Sequence, residues 1–492
     1  MLAVMVLDCA EHTVLRELVA SGRAPALAGL MDRGTTIDLR SEGDQMDGGV
    51  FQTLVTGTNP GKHGIHKYRQ LVLGTYDYAL SKASKSPVPQ VWRVLSERGR
   101  RCCVFDVPKA FAFDGMRGKL VGAWSAYSAA AAPGSVPADL LPRLERKFGR
   151  HPQRNQKPLP LSPRGYSRVL ERLLAGVRKR AEICRWVLED GPWDFFMTTF
   201  SESHVGCHQF WHLRDPSHPL YDGAAAKRCG DAMERIYQAM DRAVGEILTT
   251  LGNQATVVVM TPQGVQHNYT GSHLLPKWLA LRSGQKLKSP GVFKLTDLLG
   301  SRMRIALKRL FAEGLTDRLV RWKSPPQGAV FVLPGSEYSA LLRVNLQGRE
   351  PAGPVPKSAY RETIERLRND LMQLTNPATG EPAVSRVIFT HDVHHGECLE
   401  QLPDVVVCWR NDAQIDALEC PKHGVIRGGM KFTDVTHSMH TGEGMAVVAG
   451  PEVGHGAVES RRHLTDLHAT FYALLGEKPP EHLDGQPIDL PR

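Results

Sequence analysis

Residues 47–66 read Asp47-Gly48-Gly49-Val50-Phe51-Gln52-Thr53-Leu54-Val55-Thr56-Gly57-Thr58-Asn59-Pro60-Gly61-Lys62-His63-Gly64-Ile65-His66. The stretch opens on an acid and a glycine pair, continues as a short apolar run carrying two threonines, and closes in Thr-Gly-x-x-Pro-Gly-x-His-Gly-Ile. A phosphate-cradling P-loop fails on spacing: Gly57 to His63 is one residue short and lacks the Ser/Thr after Lys62. Read alone, the stretch could also be a plain Gly/Pro turn. By register Thr53 and Thr56 belong to the helix that follows.

On the N-terminal side, residues 4–7 form a short apolar run that meets Asp8, as buried parallel strands often do. Helices are expected at 11–21 and 25–33, the second with Pro25 at its start and Gly34 at its end. On the C-terminal side a helix over 89–98 leads to a strand over 102–107. A long helix over 166–188, a strand over 193–200, a helix over 224–251 and a strand over 255–261 follow. This strand–helix–strand order argues for βαβ units and a mostly parallel sheet. Ligands of such sheets bind beyond the carboxyl ends of the strands. Asp8, the loop around Asp47, Glu202-Ser203-His204-Val205-Gly206-Cys207-His208 and Thr261-Pro262-Gln263-Gly264 all fall there, and His437-Ser438-Met439-His440 precedes the last core strand.

Taken together these segments resemble the type I phosphodiesterase/nucleotide pyrophosphatase family of the alkaline phosphatase superfamily. The resemblance also covers Gly22-Arg23-Ala24-Pro25-Ala26-Leu27, Asn345-Leu346-Gln347-Gly348-Arg349-Glu350 and Pro403-Asp404-Val405-Val406-Val407. It implies an α/β fold: an alkaline-phosphatase-like, mostly parallel central sheet flanked by helices, with a smaller inserted lobe. It also implies two-metal hydrolysis of phosphate esters, with Asp8 as a metal-binding aspartate. The family's Asp-x-x-x-His pair falls on His204 and His208, and its C-terminal histidine on His440. An aspartate has thus become His204, with Glu202 close by as a substitute ligand. Three imidazoles can hold a divalent metal, zinc being the first choice, with one position open. The other metal site departs from the pattern: Thr261-Pro262-Gln263-Gly264 stands where Ser-Asp-His-Gly is expected. Asp47 occupies the place of the hydroxyl nucleophile and could attack, bind metal with Asp8, or be inert. Cys207 could be a soft ligand or a packed small side chain.

The expected organisation is a main core over 1–283, a basic insertion over 284–327, a smaller lobe over 328–402 and a return to the core over 403–492. Strands are expected at 329–333, 341–344 and 386–389 in the lobe, and at 405–409 and 445–449 in the core. Helices are expected at 360–374 and 464–475.

The 492 residues are 42% hydrophobic and 23% charged, the profile of a soluble globular protein. No apolar run approaches the roughly 20 residues of a membrane helix. The first residues lack the basic region of a secretion signal. With nine cysteines in no regular framework, a cytoplasmic setting with reduced thiols is expected. A net charge of +10 favours anionic partners. Part of it is local, in Arg302, Arg304, Lys308, Arg309, Arg318, Arg321 and Lys323, which reads as a solvated helix face or a peripheral membrane contact through 302–323. Nothing matches a nucleic-acid-binding module.

The expected function is therefore a metal-dependent, phosphodiesterase-like hydrolase of a phosphate ester or related small anion, with a remodelled single-metal site. Asp8 and Asp47 are its catalytic residues; His204, His208 and His440, with Asp8 and Glu202, are its metal ligands. The rivals are a non-catalytic binding or scaffold member, and a group-transfer enzyme on the same fold. Oligomeric state has no signature in the sequence.

Overall fold

In a computed structural model, the structure describes residues 1–125, 133–154, 159–160, 162–284, 326, 328–335, 338–428 and 437–492. The main sheet runs, strand by strand, Gly456–Ala457, Thr35–Arg40, Glu443–Ala449, Thr256–Thr261, Leu2–Leu7, Phe195–Phe200, Cys102–Phe105, Gly118–Gly122 and Gly134–Val136, with Arg462–His463 also pairing to Thr35–Arg40. The five strands from Thr256–Thr261 to Gly118–Gly122 are mutually parallel. Glu443–Ala449 enters antiparallel between Thr256–Thr261 and Thr35–Arg40. Its N-terminal end therefore lies beside the carboxyl ends of the parallel strands, which is what brings His440 to the same edge as Asp8.

Leu2–Leu7 is buried at every position, because both faces of the central strands are covered. One face packs on the helices His12–Ala20, Pro163–Glu189 and Ala232–Leu251. The other packs on Val50–Thr56, Val91–Glu97 and Leu464–Leu474. The expected helix over 224–251 is two helices, Gly223–Cys229 and Ala232–Leu251, parted at Gly230-Asp231. Asp222 caps the first through the N–H groups of Ala224 and Ala225 at 3.0 and 3.1 Å.

A second, four-stranded sheet orders Val330–Val332, Ala340–Val344, Val405–Trp409 and Val384–Phe389, all antiparallel. Val405–Trp409 was expected in the main sheet and belongs here instead. Its all-apolar run suits a buried position in either sheet, and the pairing with Ala340–Val344 on one side and Val384–Phe389 on the other decides it. The motif residues around 345–350 and 403–405 brace this sheet. Buried Arg343 meets Glu350 at 2.8 Å, and Arg349 meets Asp404 at 2.6 Å. Tyr76 donates to Asn345 at 2.7 Å, tying the sheet to the loop after residue 66.

The basic cluster over 302–323 lies outside the described residues. Among the described residues no helix is long and apolar enough to cross a membrane. All nine cysteines are buried and unpaired.

Candidate functional site

Local structure places Asp8, His204, His208 and His440 near the carboxyl ends of the parallel strands. Asp8 ends the first strand with no exposed surface. The chain then turns through Cys9 at φ +56°, a left-handed conformation that a non-glycine residue adopts at a cost. Asp47 opens the single turn Asp47–Gly49 ahead of the helix Val50–Thr56. Gly48 and Gly49 allow the backbone of 65–67 to pass close by: a Cβ at Gly48 would lie 2.6 Å from Lys67 Cα, and one at Gly49 2.5 Å from Ile65 O. Thr53 bonds His63 Nε2 at 3.0 Å, and Thr56 bonds the Gln52 carbonyl at 2.7 Å. Both hydroxyls are held within the helix and its support, as the register required.

His204 and His208 stand four residues apart on the helix Glu202–Phe210 and so share a face. His440 lies on the short strand Ser438–His440, which pairs with Val265–His267 just after the Thr261–Gly264 turn. The three imidazole centroids form a near-equilateral triangle with sides of 5.0, 5.1 and 5.2 Å. Asp8 Oδ2 lies 3.2 Å from His204 Nδ1.

The ligand atoms that come nearest one another belong to Cys9, His204 and His440, all within 4.8 Å. Cys9 Sγ is 3.2 Å from His204 Nδ1, 3.4 Å from His440 Nδ1 and 3.2 Å from Asp8 Oδ1. Gln263 Nε2 donates to the same sulfur at 3.1 Å. Sequence reasoning passed over Cys9. The available signal was its place directly after Asp8 at a strand end. Cys207, weighed as a soft ligand, instead donates to the His204 carbonyl at 3.0 Å. His208 Nδ1 is bonded to Ser438 Oγ at 3.1 Å.

Glu202 is not brought to this cluster. Arg180 Nε contacts both of its oxygens at 3.2 Å, and His151 Nε2 one of them at 3.0 Å. Arg180 also reaches Asp106 at 2.9 Å, so Glu202 belongs to a buried charge network beneath the helix that carries His204 and His208.

Asp47 is paired with Lys67, whose ammonium also stands over the Tyr338 ring at 5.3 Å; that ring in turn packs 5.7 Å from His440. Burial pushes the Asp47 carboxyl up, but the charges of Lys67, His440 and His204 outweigh it, and the group titrates below the usual carboxylate range. Asp8 is likewise lowered, burial being overcome by His204, Cys9 and His440. Burial brings Lys109, which feels the charge of Asp47 and bonds Ser81 Oγ at 3.4 Å, down to about 8. Burial and the neighbouring His204 bring His440 down to about 4, and His208 falls well below its ordinary value for the same reasons. Both imidazoles are therefore neutral near pH 7, the form that binds a metal.

One divalent metal fits these residues. Imidazoles, a thiol sulfur and an ionised carboxylate converge there, and Gln263 Oε1 is buried beside them with no hydrogen-bond partner. A second metal does not fit as well. Its expected ligands are replaced by Pro262 and Gln263, and Asp47 is engaged by Lys67.

Phosphonoacetate hydrolase from Sinorhizobium meliloti 1021, solved with phosphonoacetate, superimposes with a TM-score of 0.52 at 16% identity, covering 96% of this chain and 94% of that one. Wild-type alkaline phosphatase PafA superimposes with a TM-score of 0.50 at 12% identity, covering 99% and 98%. At such identities these likenesses speak for the fold alone. No curated protein matches in sequence. The family model for type I phosphodiesterase / nucleotide pyrophosphatase matches residues 2–424, and with the sheet order and the convergent site residues it establishes that the chain belongs to this family of phosphodiesterase/phosphatase-type hydrolases.

Proposed function

We propose that the protein hydrolyses a phosphate ester or a related small anion at a single divalent metal, zinc by the chemistry of the donors, bound in the triangle of His204, His208 and His440. The observation that carries the reading is the convergence of these imidazoles with Asp8 beside the Lys67–Asp47 pair. A bound metal would polarise the ester oxygen and acidify water. The remaining work falls to the chain. Lys67 and Lys109 give the pocket positive charge around Asp47, suited to an incoming phosphoryl or phosphonyl group. Asp47, kept ionised by Lys67, accepts a hydrogen bond from water and orients it. The Tyr338 ring packs against His440 and lies under the Lys67 ammonium. A non-catalytic, anion-binding role is the second reading. It is favoured by the Lys67–Asp47 ion pair, which neutralises the position where the family's nucleophile is expected.

The test is metal analysis of protein purified without chelator, combined with a panel of phosphate monoesters, diesters and carboxylated phosphonates. The expected result is about one metal per chain and turnover that His440→Ala abolishes together with the metal. Two stoichiometric metals would contradict the single-metal reading. Stoichiometric metal without turnover of any substrate class would leave the anion-binding role.

A further inference from the structure

We propose that Cys9 is a metal ligand, so that the centre is a cysteine–histidine site built from Cys9 Sγ, His204 Nδ1 and His440 Nδ1 rather than an all-histidine one. The inference rests on the single-metal reading above and puts Cys9 in place of His208 in its ligand set.

Zn–S and Zn–N bonds of about 2.3 and 2.0–2.1 Å at a tetrahedral angle set a sulfur–nitrogen separation of about 3.6 Å. The structure holds Cys9 Sγ at 3.2 Å from His204 Nδ1 and 3.4 Å from His440 Nδ1. These atoms need to part by only a few tenths of an ångström to admit the ion. The same argument gives about 3.4 Å between a ligating nitrogen and a carboxylate oxygen, against 3.2 Å from His204 Nδ1 to Asp8 Oδ2.

Three further observations point the same way. Cys9 takes its left-handed backbone where glycine or asparagine would be the easier choice, and that turn aims the sulfur between the two rings. The sulfur is ringed by three atoms of ligand type, Asp8 Oδ1, His204 Nδ1 and His440 Nδ1, all within 3.4 Å. Gln263 Nε2 donates to the sulfur at 3.1 Å, the contact that a ligating thiolate receives from its outer partners. Gln263, standing where a second-site histidine is expected, thus gains a role as support for Cys9.

In this arrangement His208 is released from ligation. Its Nδ1 is bound to Ser438, and its ring stands 5.0 Å from the His204 ring and 5.2 Å from the His440 ring. A thiolate donor also biases the site toward zinc and away from magnesium and calcium, which prefer oxygen ligands.

The experiment strips the full-length protein with chelator and reloads it with Co(II). Wild-type protein is expected to show a thiolate-to-cobalt charge-transfer band in the near ultraviolet, together with tetrahedral visible bands. Cys9→Ser is expected to lose the charge-transfer band and to bind cobalt more than about 100-fold more weakly, beyond what loss of an outer contact costs. Cys207→Ser, at the nearest other thiol, should keep the band. X-ray absorption at the zinc edge of wild-type protein gives the same answer without a variant: one sulfur neighbour at about 2.3 Å is expected. Bound cobalt with no charge-transfer band, a band that survives Cys9→Ser, or zinc with no sulfur neighbour would overturn the assignment and leave the hydrolase reading standing. Failure of wild-type protein to bind zinc or cobalt at all would overturn both.

Discussion

Replacing Arg180 with leucine removes the arginine that contacts both buried carboxylates Glu202 and Asp106. Arg180 and Glu202 have no exposed surface and Asp106 is 3% exposed. The guanidinium bonds Glu202 at 3.2 Å through Nε and Asp106 at 2.9 Å through Nη2. Removing one partner of a buried pair costs about 3–5 kcal/mol, because the other charge stays behind without compensation. Two carboxylates are exposed to that penalty here. Yet His151 remains on Glu202 at 3.0 Å, and the Ser125 N–H remains on Asp106 at 3.2 Å. The expected loss is therefore about 4 kcal/mol rather than twice that. Urea unfolding followed by tryptophan emission reports it, since the Trp124 ring lies 5.4 Å from the guanidinium. Adding Glu202→Gln and Asp106→Asn to the leucine variant should return more than half of the loss, as neutral amides tolerate the site without a cation. A loss below about 1 kcal/mol, or no recovery in the triple variant, would refute the account of Arg180 as the counter-charge under the histidine helix.

Other expectations follow from the same geometry. The Asp404 carboxyl is raised by burial, but the hydrogen bonds and charge of Arg349 outweigh this and hold it below the ordinary range. Its contribution to stability is then fully present above the unfolded value of about 3.9 and is lost as pH falls through the lower folded value. Asp404→Asn should be less stable than wild type at pH 7 and show a flatter melting-temperature profile below about pH 4; parallel profiles would count against the pair. Lys67→Met leaves Asp47 without its main counter-charge, so KM for an anionic substrate should rise about tenfold or more with stability reduced, as steady-state kinetics and thermal melts would show. An unchanged KM would remove Lys67 from the anion-binding surface.

The sequence made much of this readable, and where it failed the reasons are geometric. Apolar runs ending in polar residues marked Leu2–Leu7, Phe195–Phe200 and Thr256–Thr261 to within two residues, because buried parallel strands need apolar side chains on both faces. The resemblance picked out His204 and His208, and the helix gives them a common face because positions four apart meet on it. The same rule explains Glu202. It lies two residues from His204, and positions two apart do not face each other, so proximity along the chain carried it to Arg180 instead. Cys9 was hidden because its role depends on a backbone turn at positive φ, and the residue type gives no sign of that. Thr35–Arg40 escaped notice because its alternating burial lacks the continuous apolar run of the central strands.

The strand order has a kinetic consequence. Thr35–Arg40 does not touch Leu2–Leu7; Glu443–Ala449 and Thr256–Thr261 stand between them. A ribosome that has released only the first half of the chain thus holds a sheet that lacks its linking strand. Thr35–Arg40 must wait, with one edge open, for a partner about four hundred positions away. Loop closure over such distances is slow, and an open edge invites pairing with other chains. The helix carrying residues 50–56 completes its packing later still, against Leu464–Leu474. His440, which leads into the late strand, arrives with it. Assembly of the histidine cluster therefore coincides with closure of the sheet, and half-made chains carry only part of it.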